Sequence, residues 1–118
     1  MSMSPFPVPR DTLLFRRDEA RRVRRLAMHA QVRQDLRLAL AALLPGARVW
    51  LFGSLTRAGT FNDASDVDVA LESEPVTMSV GRLSSELTER LARPVDVVLL
   101  GGCRFRDKIL RAGEPWTL

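Results

Sequence analysis

The spacing of apolar residues along this 118-residue chain changes at Gly46. Before it, apolar residues recur every three or four positions over 11–44, a segment without proline or glycine. This spacing predicts an N-terminal helix that Pro45-Gly46 ends. A single helix of that length is unusual in a small domain, so we expect a break near His29, with His29 itself on the surface. Residues 1–10 contain three prolines and predict an irregular arm.

The rest of the chain predicts short strands that alternate with helices. Strands are expected at 47–52, 66–71 and 95–100, helices at 79–92 and 105–111, and a loop of small polar residues at 53–64. The middle strand, DVDVAL, alternates with period two, whereas VDVVLL is apolar enough to be buried on both faces. The last six residues, GEPWTL, are predicted to be a tail with Trp116 exposed. The order α-β-β-α-β-α predicts a single α/β domain over 11–118, with helices packed on a small sheet.

Positive charge is concentrated in the N-terminal helix. Residues 10–37 contain nine arginines against four acidic residues, a net charge of +5, while nine basic and ten acidic residues give the remainder −1. A basic helix of this kind can bind nucleic acid or an acidic partner. A solvated helix face accounts for the same pattern, and we favour that interpretation over a nucleic-acid partner.

Composition also limits the compartment in which the protein is expected. No apolar run is long enough to span a membrane, and the first ten residues lack the apolar core of a secretory signal. Cys103 is the single cysteine, so the chain cannot form an intramolecular disulfide, which is typical of a reducing compartment. We therefore expect a cytoplasmic protein that makes no membrane contact.

Two aspartates interrupt the middle strand. Asp66 and Asp68 are two residues apart, so both are expected on one face of the strand, with Val67 and Val69 on the other. Adjacent like charges repel, and their burial is costly unless a cation compensates. Because all the ligands would be oxygen atoms, the expected cation is magnesium or manganese.

A third carboxylate, Asp96, lies within the apolar strand VDVVLL. An isolated aspartate there could cap a backbone group at a strand edge. Next to Asp66 and Asp68 on a neighbouring strand, however, it would complete a carboxylate cluster. Such a cluster can hold two metal ions for an in-line phosphoryl displacement.

The loop before the aspartates contains residues suited to binding phosphate. Gly53 allows the backbone to approach a ligand closely, Ser54 offers a hydroxyl and an N–H, and Arg57 can donate two hydrogen bonds to phosphate oxygens. A Gly-Ser pair alone describes many turns. The Asp-x-Asp pattern on the next strand makes the combination specific.

Gly53-Ser54, the eleven-residue gap before Asp66-x-Asp68, and the later Asp96 resemble the signature of the DNA polymerase β-like nucleotidyltransferase superfamily. The resemblance covers about 36–118 and implies a small mixed sheet of the palm type flanked by helices. The short chain, the Thr-Arg-Ala-Gly loop and the ending ILRAGEPWTL look like the minimal nucleotidyltransferases. Members of that group are typically antitoxin partners of HEPN-domain ribonuclease toxins.

This resemblance implies a role for each matching residue. Asp66 and Asp68 would bind two magnesium ions and, through them, the nucleotide, and Asp96 would bind the catalytic metal and help deprotonate the acceptor. Gly53 and Ser54 would hold the β- and γ-phosphates of ATP, with support from Arg57. Many relatives have glycine directly after that arginine, whereas here Ala58 intervenes, so the loop is expected to be one residue longer.

The implied reaction is transfer of AMP from ATP to a hydroxyl, expected to be a tyrosine of a HEPN toxin held in a hetero-oligomer. Two alternatives stay open. One is a catalytically quiet antitoxin that neutralises its toxin by binding, against which the intact set of aspartates argues. The other is a nucleotidyltransferase acting on RNA or a small molecule. Enzymes that modify small molecules usually carry a second helical domain, for which this chain has no room.

Overall fold

One continuous helix, α1 (Leu13–Leu43), begins the part of the chain that the structure describes. The structure is a computed structural model that describes residues 13–118; the predicted arm and the first two predicted helical residues lie outside this range. The predicted break near His29 is wrong, and so is its predicted surface position. His29 is half-buried, its Nε2 lies 2.7 Å from the Leu55 carbonyl oxygen, and its ring packs edge-on against Phe61. These contacts tie the helix to a distant loop at the point where a break was expected.

Within residues 13–118, the second half of α1 is the part of the helix that buries side chains against the rest of the domain. At 1.5 Å per residue the 31-residue helix is about 46 Å long, which exceeds the length of any strand of the sheet. Its buried residues all lie in the C-terminal half: Val32, Leu36, Ala39 and Leu40. None of the described helices is both long enough and apolar enough to cross a bilayer.

Four short strands form a mixed sheet with the order β3-β2-β1-β4. Strand β1 (Arg48–Phe52) runs antiparallel to β2 (Val67–Leu71) and to β4 (Glu114–Thr117), and β2 runs parallel to β3 (Val95–Leu99). Helix α2 (Val80–Leu91) connects the two parallel strands, and α3 (Arg106–Ala112) precedes β4. The α/β class and the mixed sheet flanked by helices are thereby confirmed.

The C-terminal residues form strand β4, so the prediction of a tail with an exposed Trp116 is wrong. Trp116 pairs with Val49, is 5% exposed, and lies under the guanidinium of Arg37, 4.3 Å from the ring centre. The Leu118 N–H donates to the Ala47 carbonyl oxygen, and the Leu118 carbonyl oxygen accepts from the Gly46 N–H, which extends the pairing. Because the strand is four residues long and contains a proline, local sequence carries almost no strand signal. Strand β4 forms because it pairs with β1.

The two faces of the sheet are covered unequally. One face buries Val67, Val69 and Leu71 of β2 against α1 and α2, in a core that includes Leu36 and Leu87. The other face carries a smaller apolar cluster: Trp50, Ala70, Leu100 and Ile109. Because α3 is only seven residues long, it shields the centre of this second face and leaves Asp96 exposed at its side.

Candidate active site

Asp68 and Asp96 lie directly opposite each other on adjacent parallel strands. Asp68 is the second residue of β2 and Asp96 the second residue of β3, on the sheet face that α3 only partly covers. Asp66 lies one residue before β2, which starts at Val67 rather than at Asp66 as predicted. It shares the parity of Asp68 and is exposed, as is Asp96, whereas Asp68 is half-buried. The structure therefore brings the three predicted carboxylates to one edge of one face.

The Gly-Ser turn, the 3₁₀ turn Gly53–Thr56, packs against the Asp68 side chain. Gly53 has a φ of +73°, and a Cβ on this residue would lie 2.4 Å from Asp68 Oδ2. Only glycine adopts this conformation without strain and leaves room for the carboxylate. The first residue of the predicted phosphate loop is therefore a structural neighbour of the central aspartate.

Electrostatics at Asp68 favour a bound cation. Burial, the largest effect, raises the pKa of the Asp68 carboxyl above its ordinary value, and the negative charges of Asp96 and Asp66 raise it further. The protein offers this carboxylate no compensating salt bridge among its described residues. A divalent cation beside the three carboxylates would remove the repulsion.

Ser54 and Arg57 occupy different positions relative to the carboxylates. Ser54 Oγ donates to the carbonyl oxygen of Asp66 at 3.4 Å, so the Gly-Ser turn is tied to the start of β2. Arg57 follows the turn, its N–H donates to the Ser54 carbonyl at 3.0 Å, and its side chain is exposed at the wall of a cavity next to Gly53. The segment Gly53–Thr56 is thus an ordered turn rather than the open loop that was predicted.

Arg93 holds the segment that leads to Asp66, and nothing in the sequence pattern marked it. Its guanidinium donates to the carbonyl oxygens of Ser65 at 3.0 Å and Asn62 at 3.3 Å, and it lies 4.7 Å from the centre of the Phe61 ring. Because 28 positions separate Arg93 from Ser65, no local motif could have revealed the contact. Arg93 is a positioning residue for the approach to the first aspartate.

Helix α2 fixes the position of Asp96. Ser84 Oγ donates to the carbonyl oxygen of Val95, and Thr88 Oγ1 accepts a hydrogen bond from the Val95 N–H at 3.0 Å. The residue directly before Asp96 is therefore held at both of its backbone polar groups. This anchoring keeps the start of β3 in register with β2.

The residues present fit a divalent metal by the chemistry of their donors. Three carboxylates share one face, and the pKa of Asp68 is raised by its burial and, in addition, by the negative charges of Asp96 and Asp66. Oxygen donors are those that Mg²⁺ and Mn²⁺ prefer. Among residues 13–118, no group of three or more histidine, cysteine or acidic side chains converges as a ready-made metal site. Asp66 and Asp96 are both exposed, so their side chains have space to reorient towards a cation.

A half-covered mixed sheet with a carboxylate pair beside a Gly-Ser turn defines a class of enzymes that transfer nucleotidyl groups. The chain belongs to the nucleotidyltransferase domain family, whose model matches residues 33–115. The first half of α1 lies outside this match.

A solved structure has a similar fold. It is described as the crystal structure of a toxin–antitoxin with AMP-PNP, and the superposition has a TM-score of 0.57 at 23% identity. The match covers 72% of this chain and 73% of the other. No curated protein matches the chain. At this level of identity the structural likeness supports the fold, and the family match supports nucleotidyl transfer.

Proposed function

We propose that the protein transfers AMP from ATP to a hydroxyl group of a partner protein and thereby acts as an antitoxin. The observation that carries the proposal is the pairing of Asp68 with Asp96 beside the Gly-Ser turn. The similar toxin–antitoxin structure that contains AMP-PNP supports both a nucleotide ligand and a protein partner. The expected acceptor is a tyrosine of a HEPN-domain toxin in the cytoplasm.

In this mechanism Asp66, Asp68 and Asp96 would hold two Mg²⁺ ions, which when bound neutralise phosphate charge and polarise the α-phosphate. The acceptor oxygen attacks the α-phosphorus. A bond forms between these two atoms while the bond from the α-phosphorus to the bridging oxygen of the β-phosphate breaks, and pyrophosphate leaves. The exposed carboxylate of Asp96 accepts the hydroxyl proton.

The Gly-Ser turn would bind the departing phosphates. Gly53 brings the backbone close to the ligand, and the Ser54 N–H and hydroxyl are polar groups at the start of the turn. Arg57, exposed beside them, would stabilise the negative charge that accumulates on pyrophosphate. The roles of these residues are binding and orientation.

The first half of α1 supports a protein partner. Val23 is 55% exposed and Leu26 38% exposed, and arginines surround them on a helix segment that lies outside the family match. A protein partner would bury these apolar side chains together with the stems of the arginines. A nucleic acid would use the arginines but would leave these apolar side chains without contacts.

The proposal is tested with ATP labelled at one phosphate at a time. The protein is incubated with Mg²⁺ and with a HEPN-domain protein encoded beside it. Label at the α-phosphate is expected to move to the partner, and label at the γ-phosphate is expected to leave with pyrophosphate. Transfer of γ-label, or failure to transfer either label, would contradict nucleotidyl transfer to this partner.

A second experiment separates catalysis from binding alone. Cells that produce the toxin are given either the wild-type protein or the Asp66→Ala/Asp68→Ala double variant. If AMP transfer neutralises the toxin, only the wild-type protein rescues growth. Rescue by the double variant would show that the antitoxin acts by binding, and transfer in vitro would then be dispensable for protection.

A further inference from the structure

A cavity of about 560 Å³ lies between the Gly-Ser turn and α3. Its size is within the range of sites for small organic ligands, roughly 300–1,000 Å³. Its walls include Phe52 and Gly53 on one side, and Phe105, Lys108 and Ile109 on the other. Phe105 and Lys108 lie outside the sequence signature of the family.

The cavity adjoins the carboxylates. Phe52 is the cross-strand neighbour of Asp68, and Gly53 lies against the same carboxylate. A ligand in the cavity would therefore extend directly to the face that carries Asp68 and Asp96. The cavity and the carboxylate face are therefore neighbours on the same side of the sheet.

The charge of the cavity is opposite to that of the carboxylate face. Arg57 and Lys108 are the charged residues in its lining, and no acidic residue lines it. Lys108 is the only lysine of the chain. The cationic side chains of the cavity would attract an anionic ligand, and the nearby carboxylates would repel it. A cation between the ligand and the carboxylates would remove this repulsion. A nucleotide with a bound metal ion has this arrangement of charges.

Helix α3 presents one face to this cavity. Phe105, at the helix N-cap, precedes Lys108 and Ile109 by one turn, and all three line the wall. Ile109 is buried against the sheet and holds the helix in place, whereas Phe105 is 60% exposed. An exposed aromatic ring at the rim of a largely apolar cavity is suited to stacking on a planar ligand.

We propose that two residues of this cavity outside the family signature bind the nucleotide: Phe105 stacks on the base, and Lys108, beside Arg57, binds the phosphates. The inference rests on the proposed function and deepens it, because it names residues outside the family signature that select the nucleotide. The apolar part of the cavity takes the nucleoside. The cationic side next to Gly53 takes the phosphate chain.

Equilibrium titration of the full-length protein with AMP-PNP and with AMP, both with Mg²⁺, tests the assignment. Phe105→Ala is expected to weaken both nucleotides about tenfold, because stacking on the base is common to both. Lys108→Ala is expected to weaken AMP-PNP about tenfold and AMP much less, because AMP lacks the β- and γ-phosphates. Phe105→Tyr and Lys108→Arg should retain affinity close to that of the wild type.

Matched controls come from residues of the same helix that do not line the cavity. Leu110 and Arg111 belong to α3 but do not line the cavity, so Leu110→Ala and Arg111→Ala should bind both nucleotides within about twofold of the wild type. Thermal melts of all the variants identify any loss of folding. If Phe105→Ala and Lys108→Ala bind as the controls do, the assignment is wrong.

The outcome also separates this inference from the proposed function. If the two variants bind AMP-PNP normally but transfer AMP poorly, the cavity receives the acceptor and the nucleotide assignment is overturned. If they weaken nucleotide binding as expected but the wild type labels no partner, the subsite stands and the transferase proposal fails. Absence of nucleotide binding by the wild type would overturn both.

Discussion

At the scale of single residues, Gly53 connects backbone conformation to the chemistry of the site. Its φ of +73° turns the chain directly after β1, and its hydrogen-only side chain leaves room for the Asp68 carboxylate. A side chain here would either displace Asp68 or change the course of the turn. Gly59, in contrast, has open space where a Cβ would lie and no positive φ.

Gly53→Ala is therefore expected to destabilise the fold by about 1–3 kcal/mol, from backbone strain and from the displacement of Asp68. Gly59→Ala should stay within about 0.5 kcal/mol of the wild type. Urea unfolding monitored by circular dichroism measures both. Equal unfolding midpoints for the two variants would show that the close approach of Gly53 to Asp68 is not a constraint.

The ionised carboxylate of Asp68 is expected to lower the stability of the metal-free fold, although the proposed function requires it. Because burial and two neighbouring carboxylates raise its pKa in the folded protein, ionisation of Asp68 costs the folded state more than the unfolded one. Asp68→Asn should therefore stabilise the metal-free protein above the folded-state pKa, by less than about 1 kcal/mol because the side chain is partly solvated. The gain in stability should disappear below the ordinary aspartate pKa, where the Asp68 carboxyl is protonated and neutral in both the folded and the unfolded protein.

Thermal melts in the presence of a chelator, over a series of pH values, test whether Asp68→Asn raises or lowers the stability of the fold. The expected result is a higher midpoint for Asp68→Asn at neutral pH that converges with the wild type in acid. A lower midpoint for the variant at neutral pH would mean that the ionised carboxylate stabilises the fold, and the argument for an uncompensated charge would fail.

At the scale of elements, α1 combines two functions in one helix. Its C-terminal half buries Leu36 and Leu40 completely, whereas Leu38, between them, is 62% exposed on the opposite face. The first half buries none of its residues under the described part of the chain. The second half therefore belongs to the core of the domain that the described residues form, and the first half does not.

Leu40→Ala is expected to cost about 2–5 kcal/mol, because it removes a fully buried side chain and leaves a cavity. Leu38→Ala makes the same chemical change on an exposed face and should stay within about 0.5 kcal/mol of the wild type. Chemical denaturation of the two variants measures the difference. Similar losses for both would contradict the described orientation of α1.

Helices α1 and α2 show how far the local sequence pattern predicts structure. Helix α2 was predictable because Leu83 and Leu87 repeat with helical spacing and Ser79 caps its start. The half-buried position of His29 was not predictable, because its contacts with Leu55 and Phe61 join segments that are distant in sequence. Tertiary contacts dominate wherever the local signal is weak.

At the scale of the whole molecule, the candidate site combines segments that are distant in sequence. Asp66, Asp68 and Asp96 could be selected from the sequence because carboxylates inside apolar strands are conspicuous, and the topology then places Asp68 opposite Asp96. Arg93 and Lys108 could not be selected. A single arginine and a single lysine outside any motif carry no local signal, and their neighbours are defined only when α2 and α3 pack on the sheet.

The central claim is that the carboxylate face of the sheet catalyses transfer of AMP, and its most direct test is the rate of that transfer. With α-labelled ATP and the proposed HEPN-domain partner, Asp68→Asn should lower the rate at least about 100-fold, because the variant loses one of the carboxylates proposed to hold the metal. Glu72→Gln provides the matched control, since Glu72 directly follows β2, is exposed and also loses one negative charge. The account predicts a wild-type rate for the Glu72 variant and almost none for the Asp68 variant; equal rates for the two would contradict it.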